Sequence, residues 1–186
     1  MRILILSHTR CGSTTFCKWL SNELDIELDE TPYDIKTFNI VFQKNNIIRK
    51  IVVEEYMPTI DVINKFDKVI CLIRENSIDS SISFIIANSS NIWHTEYDVS
   101  ANWISENKNL IIERKYFYDY LKNKLKKLKV FQITYEGIYI NKTDIDRVFK
   151  YIGIETPRYL NMIEYTKKYR KDTHTLIHDF ERKNII

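Results

Sequence analysis

The chain of 186 residues holds 3 glycines, 3 prolines and 2 alanines, against 30 isoleucines, 19 lysines, 15 asparagines and 12 tyrosines. Ordinary usage puts Gly at about 7% and Pro at about 5%, so collagen-like, Gly/Ser-linker and Pro-rich low-complexity classes are excluded, and 44% hydrophobic content is too apolar for a disordered chain. A net charge of +3 suits a small anionic ligand and falls short of the strongly basic stripe expected of a nucleic-acid binder.

The four abundant residue types have AT-rich codons, so a low-GC genome accounts for the depletion of Gly; a Gly that persists is expected to have a backbone reason. The length fits one domain over 1–186 with a sizeable core. Cys11, Cys17 and Cys71 are odd in number and lack metal-ligand spacing, which points to a reduced, intracellular and cytoplasmic protein without a disulfide framework. Ile3–Leu6 is too short for a signal-peptide core, and no apolar run approaches the roughly 18 residues of a membrane span.

Along the chain, Ile3–Leu6, Ile51–Val53, Val69–Ile73 and Val130–Ile133 are short apolar runs that predict buried parallel strands. Between them lie helical patterns. The first starts near Ser13, with Phe16, Leu20 and Leu24 spaced by four and Trp19 widening the face. A short one follows Pro58, with Ile60 and Ile63, and a third runs from about Ser77 to Ala87 with Ile78, Ile82, Ile85 and Ile86 on one side. Residues 102–127 predict one long helix or two, ending in Lys122, Lys124, Lys126, Lys127 and Lys129, cations that complement the helix dipole and stay solvated. A last helix over 143–152 ends at Gly153, a C′ glycine, and Gly137 marks a turn after the fourth strand. The alternation predicts the α/β class, a parallel sheet flanked by helices.

Two segments carry chemistry. In the first, Ile3–Leu6 runs into His8-Thr9-Arg10-Cys11-Gly12-Ser13-Thr14-Thr15, a strand, a tight polar turn and a helix start, which turns backbone N–H groups and the positive helix end towards whatever sits above. Gly12 lets an anion approach the backbone, Ser13, Thr14 and Thr15 offer hydroxyls, and Arg10 offers a cation, a set suited to phosphate or sulfate; His8 is a further candidate contact. An ordinary strand-to-helix turn with a capping serine has the same pattern. Neither G-x-x-x-x-G-K-[ST] nor G-x-G-x-x-G is present, which argues against a nucleotide kinase or a dinucleotide-binding turn. In the second, the strand Val69–Ile73 ends in Arg74, at the sheet edge where open α/β sheets bind ligands, and Ser83 follows on the next helix. Pairing of Arg74 with Glu75 or Asp79, and packing of Ser83 as a small residue, are the alternatives. No cysteine begins the Cys-(x5)-Arg signature of a phosphatase.

Together, Arg10-Cys11-Gly12-Ser13-Thr14-Thr15 and Arg74-x-Asn76-(x6)-Ser83 resemble the two cofactor motifs of sulfotransferases that use 3′-phosphoadenosine 5′-phosphosulfate (PAPS). The separation of roughly sixty residues is similar too, as are the landmarks Ile133-Thr134-Tyr135-Glu136-Gly137 and Phe149-Lys150-Tyr151-Ile152-Gly153-Ile154, so the resemblance spans about residues 2–155. It implies the P-loop nucleotide-kinase-like sulfotransferase fold and PAPS as donor, with 3′-phosphoadenosine 5′-phosphate (PAP) as product. It further implies that Arg10, Cys11, Gly12, Ser13, Thr14 and Thr15 bind the 5′-phosphosulfate, that Arg74 and Ser83 bind the 3′-phosphate, and that the acceptor is a small-molecule or carbohydrate hydroxyl or an amine. Cytosolic steroid- and phenol-type members carry Lys where this chain has Arg10 and space their Arg and Ser one residue closer; Arg-x-Asn is more similar to bacterial and carbohydrate-type branches. The family's late Lys-x-x-Gly-x-x-Gly segment is lacking, and the run Lys167–Lys171 is either a cap on the cofactor or a solvated charge cluster. For the general base the resemblance implies Glu30, before Pro32, with His94 as the alternative; no metal is implied. A small kinase and a non-catalytic nucleotide-binding module of the same fold are the competing readings.

Overall fold

The computed structural model describes residues 1–29, 44–90 and 100–154. Its centre is a five-stranded parallel sheet in the order β2-β3-β1-β4-β5, with β1 at Arg2–Ser7, β2 at Glu27–Asp29, β3 at Ile47–Val52, β4 at Lys68–Ile73 and β5 at Phe131–Thr134. The helices are α1 (Ser13–Leu24), α2 (Ile60–Ile63), α3 (Ser77–Ser90), α4 (Ala101–Glu106), α5 (Lys108–Lys126) and α6 (Ile145–Ile152), with a π-helical turn at Glu136–Ile140. A parallel sheet covered on both faces needs strands that are apolar throughout, and Ile3, Leu4, Ile5 and Leu6 of the central strand are all fully buried.

Successive side chains of a strand alternate between faces, and the core divides accordingly. Ile3, Ile5, Ile70, Leu72 and Ile133 pack with Phe16 and Leu20 of α1 and Val148 and Phe149 of α6, where Trp19 meets Phe149 edge-on at 5.3 Å. Leu4, Leu6, Cys71 and Ile73 pack on the other face with Tyr118, Leu121 and Leu125 of α5. A smaller cluster of Ile78, Ile82, Ile86, Ile104 and Ile111 joins α3, α4 and α5. Each fully buried Leu, Ile or Phe contributes about 2 kcal/mol through its removal from water.

The structure refines several of the sequence expectations. Of the second predicted strand, Ile51–Val53, the first two residues end the longer β3 and Val53 lies in the turn after it; within β3 Arg49 and Lys50 interrupt the apolar pattern, and Arg49 is fully buried and paired with Asp29 of β2. That pairing explains how the acidic segment Glu27–Asp29 becomes an edge strand in register with Ile47–Arg49. The long helical segment is two helices, α4 and α5, which meet at Asn107 with φ −97° and ψ 9°. Gly137 sits in the π-helical turn, where Asn141 N–H reaches back to the Glu136 carbonyl at 3.0 Å; a Cβ there would collide with the Asp144 carboxylate and Thr134 Oγ1. Gly153 ends α6 at φ 92° as expected, its N–H bonded to the Phe149 carbonyl at 2.9 Å.

The chain leaves β1 for β2 and β3 on one side and then crosses to β4 and β5 on the other. β1 is therefore the point at which strand order reverses, and the crevice at its carboxyl end is where an open α/β sheet binds ligands. Among the described residues no helix is long and apolar enough to cross a membrane.

Candidate functional site

Residues 8–12 form the turn between β1 and α1. Two of its residues are left-handed, Arg10 at φ 61° and Gly12 at φ 77°, a conformation that costs a residue with a Cβ roughly 1–2 kcal/mol. Acceptors beneath the loop hold it in that shape. The Glu54 carboxylate accepts the Thr9 N–H at 2.9 and 3.0 Å and the Thr9 hydroxyl at 2.6 Å, and Thr9 Oγ1 lies 2.7 Å from Tyr118 Oη. Arg114 stacks on Phe84 at 3.8 Å and reaches Glu54 at 3.9 Å. Burial raises the Tyr118 phenol above its ordinary range, which keeps it a neutral hydrogen-bonding partner.

The expectation for Gly12 changes in its physical reason. A Cβ at this position would stand 2.7 Å from Tyr139 Cε2 and 3.1 Å from the Tyr135 ring, and Tyr139 Oη donates to the Gly12 carbonyl at 2.6 Å. Packing against two tyrosines, together with positive φ, requires glycine here whether or not an anion lies above. Ser13, Thr14 and Thr15 occupy the first turn of α1, and the N-cap is Gly12 rather than a capping serine, so the cap position carries no side chain. Cys11 has its side chain in the core: the thiol donates to the His8 carbonyl at 2.9 Å, and burial pushes its pKa up to about 11. Any part that Cys11 takes in anion binding thus falls to its backbone.

His8 is enclosed, and both ring nitrogens face backbone groups. Nε2 accepts the Arg74 N–H at 3.1 Å and Nδ1 lies 2.7 Å from the Thr9 carbonyl, which assigns the proton to Nδ1. Burial lowers the pKa to about 4, with Arg74 and Lys122 adding to the fall, so the ring is neutral at pH 7. His8 is a link between strand ends and presents no free nitrogen to a cofactor.

Arg74, 8% exposed, stands at the end of β4. Its Nη1 donates to the Arg10 carbonyl at 3.1 Å, its guanidinium pairs with Asp79, and it lies over the Tyr135 ring at 4.4 Å. Of the two carboxylates the sequence offers, Asp79 is thus its partner, while Glu75 turns outward to Lys126 at 2.9 Å. Asn76 begins α3 as its N-cap, Oδ1 accepting the Asp79 N–H at 2.9 Å. Arg10 Nε donates to Ser83 Oγ at 2.8 Å. The two segments singled out in the sequence, 73 positions apart at these residues, therefore meet side chain to side chain.

Lys50 was not singled out by the sequence. From β3, opposite Ile5 of β1, its Nζ donates to Thr14 Oγ1 at 2.9 Å, adding a third cation to this edge of the sheet. The available signal was a lysine next to Arg49 inside an otherwise apolar strand. Glu30, His94 and the run Lys167–Lys171 lie outside the described residues. Among the described residues there is no cluster of His, Cys, Asp or Glu that could hold a metal ion.

Two guanidinium groups, one ammonium group, the hydroxyls of Ser83 and Thr14 and the positive end of α1 thus share the carboxyl edge of β1, β3 and β4. Charge-assisted donors of this kind favour phosphate and sulfate oxygens over neutral ligands. No protein-family profile matches the chain, and no curated protein matches it by sequence. By structure the chain is similar to the mouse sulfotransferase SULT7A1 complexed with PAP, with a TM-score of 0.61 at 16% identity, over 89% of this chain and 62% of that one. It thus spans about three fifths of that protein's length. Matches with TM-scores below one half are the YorR protein of Bacillus subtilis in complex with phosphorylated GDP (0.44, 15% identity, 81% of this chain and 95% of that one) and the sulfotransferase domain from the curacin biosynthetic pathway (0.45, 13% identity, 83% and 74%).

Proposed function

We propose that the protein is a PAPS-dependent sulfotransferase acting on a hydroxyl or amine of a small-molecule or carbohydrate acceptor. The observation that carries the reading is the contact between Arg10 Nε and Ser83 Oγ, which joins the loop after β1 to the helix after β4 at the sheet's switch point. A sulfotransferase-like fold is shared with the mouse enzyme, and the donor set fits a nucleotide bearing anionic groups at two ends.

When bound, PAPS supplies a sulfuryl group and a phosphate leaving group. In this reading Arg10, Lys50, the Thr14 hydroxyl and the amides at the start of α1 hold the 5′ end and stabilise the negative charge that grows on the leaving oxygen, the main contribution available to a positioning and electrostatic catalyst. Gly12, Ser13 and Thr15 complete the loop, and Cys11 contributes its backbone. Arg74 and Ser83 hold the 3′-phosphate, which discriminates against nucleotides that lack it. Glu30 takes the acceptor's proton as general base, with His94 as the alternative.

The reading predicts that PAP binds in calorimetric titration in preference to ATP; preference for ATP favours a kinase. Glu30→Gln is expected to abolish sulfate transfer from labelled PAPS and to leave PAP affinity intact, whereas retained turnover assigns the base elsewhere.

A further inference from the structure

Three successive backbone amides launch α3, and each is taken by a side chain from a neighbouring strand end. The Arg74 N–H donates to His8 Nε2 at 3.1 Å from the β1 side. The Glu75 N–H donates to Glu136 Oε2 at 3.1 Å and the Asn76 N–H to Glu136 Oε1 at 3.2 Å, from the end of β5. A carboxylate that accepts two adjacent amides fixes both the direction and the distance of the turn it holds, and its charge strengthens both bonds.

Glu136 is itself well placed to act as an anchor. It opens the π-helical turn, its carbonyl accepting the Asn141 N–H at 3.0 Å. The next residue, Gly137, donates to Thr134 Oγ1 at 2.8 Å, and the preceding residue, Tyr135, lies under the Arg74 guanidinium at 4.4 Å. The β5 end thus touches the Arg74 segment twice, with a ring below the guanidinium and a carboxylate on the two following amides. From the outer side, Lys122 of α5 donates to the Glu75 carbonyl at 2.9 Å. Amides at a helix start attract anions, and here Glu136 holds the two that precede Ser77.

We propose that Glu136 is a positioning residue for the Arg74–Ser83 anion site: by holding the Glu75 and Asn76 amides it sets where the Arg74 guanidinium and the first turns of α3 stand. The proposal rests on the assignment of that site to the 3′-phosphate of PAP. It implies a selective effect, because the loop from His8 to Thr15, although it touches the Arg74 segment, has its own support in the Glu54 carboxylate on the Thr9 N–H and hydroxyl.

The test is calorimetric titration of the full chain with PAP and with AMP, which lacks the 3′-phosphate. Wild-type preference for PAP over AMP tests the nucleotide reading by itself; without that preference the reading falls, and this proposal with it. Given the preference, Glu136→Ala is expected to weaken PAP about tenfold, the loss of two charge-assisted hydrogen bonds being partly made up by water, while AMP affinity changes less than about twofold. Glu136→Gln, which keeps one acceptor oxygen, is expected to show the same selectivity with a smaller loss, and it decides the matter alone if the alanine variant does not fold. Amide hydrogen exchange at Glu75 and Asn76 is expected to speed up in both variants. Equal weakening of PAP and AMP, or unchanged PAP affinity, overturns the proposal.

Discussion

Replacing Gly12 by alanine separates two explanations of the same residue. If Gly12 served only to let an anion near the backbone, Gly12→Ala would damage ligand binding and leave the free protein as stable as before. The geometry requires a large effect on the free protein. Holding alanine at φ 77° costs roughly 1–2 kcal/mol. The new Cβ would stand 2.7 Å from Tyr139 Cε2, and the ring cannot swing away cheaply, because Tyr139 is buried and its hydroxyl is bonded to the Gly12 carbonyl at 2.6 Å. Overpacking of this kind costs about 1–3 kcal/mol, so the sum is about 3 kcal/mol. Urea unfolding of the ligand-free protein, followed by circular dichroism, should show a midpoint lowered accordingly with an unchanged slope. In a Tyr139→Ala background the closest contact disappears and only the 3.1 Å approach to the Tyr135 ring remains, so Gly12→Ala should cost little beyond the backbone part, roughly 1–2 kcal/mol. A loss below about 0.5 kcal/mol in the wild-type background, the range of neutral surface substitutions, would refute the packing argument.

His8 makes stability depend on acid. Its pKa is lowered from 6.5 to about 4 on folding, so the unfolded chain binds the proton first; the stability that its neutral ring contributes is fully present above pH 6.5 and is lost as pH falls towards 4. The full loss is about 3 kcal/mol, read from urea midpoints between pH 7 and pH 4, and His8→Gln should flatten that part of the profile; an unchanged profile counts against a buried neutral imidazole. Glu54→Ala leaves the Thr9 N–H and hydroxyl without the acceptor they have now and should cost about 2–3 kcal/mol in the same assay, whereas Glu54→Gln, which keeps an acceptor, should cost under about 1 kcal/mol. Equal costs for the two substitutions would show that the hydrogen bonds are not what Glu54 supplies.

The parts of the fold legible in the sequence are those where burial is local and apolar. β1 and β4 are uninterrupted hydrophobic runs, and the face of α1 repeats at Phe16 and Leu20, so period alone finds them. β2 and the first half of β3 are hidden because charged residues break their patterns: Arg49 reads as a surface residue until Asp29 stands beside it. The anion-binding segments were legible as residue types in order, but their supports were not. Glu54 lies 45 positions from Thr9, Glu136 lies 61 from Glu75, and Tyr139 lies 127 from Gly12. No periodicity links residues so far apart; only the closure of the sheet brings them together. Scarcity and sequence neighbours mark Gly12, while the atoms that require its missing Cβ, in Tyr135 and Tyr139, come from the other end of the described chain.

The nucleotide assignment is tested most directly by calorimetric titration of the wild type and Arg74→Ala with PAP and with AMP. The expected result is tighter binding of PAP than of AMP by the wild type, with Arg74→Ala weakening PAP by about 10- to 100-fold, as loss of a charge-assisted contact to phosphate should, and leaving AMP nearly unchanged. Equal loss for both nucleotides would contradict the 3′-phosphate role of Arg74, and a wild type that binds neither would contradict the nucleotide site itself.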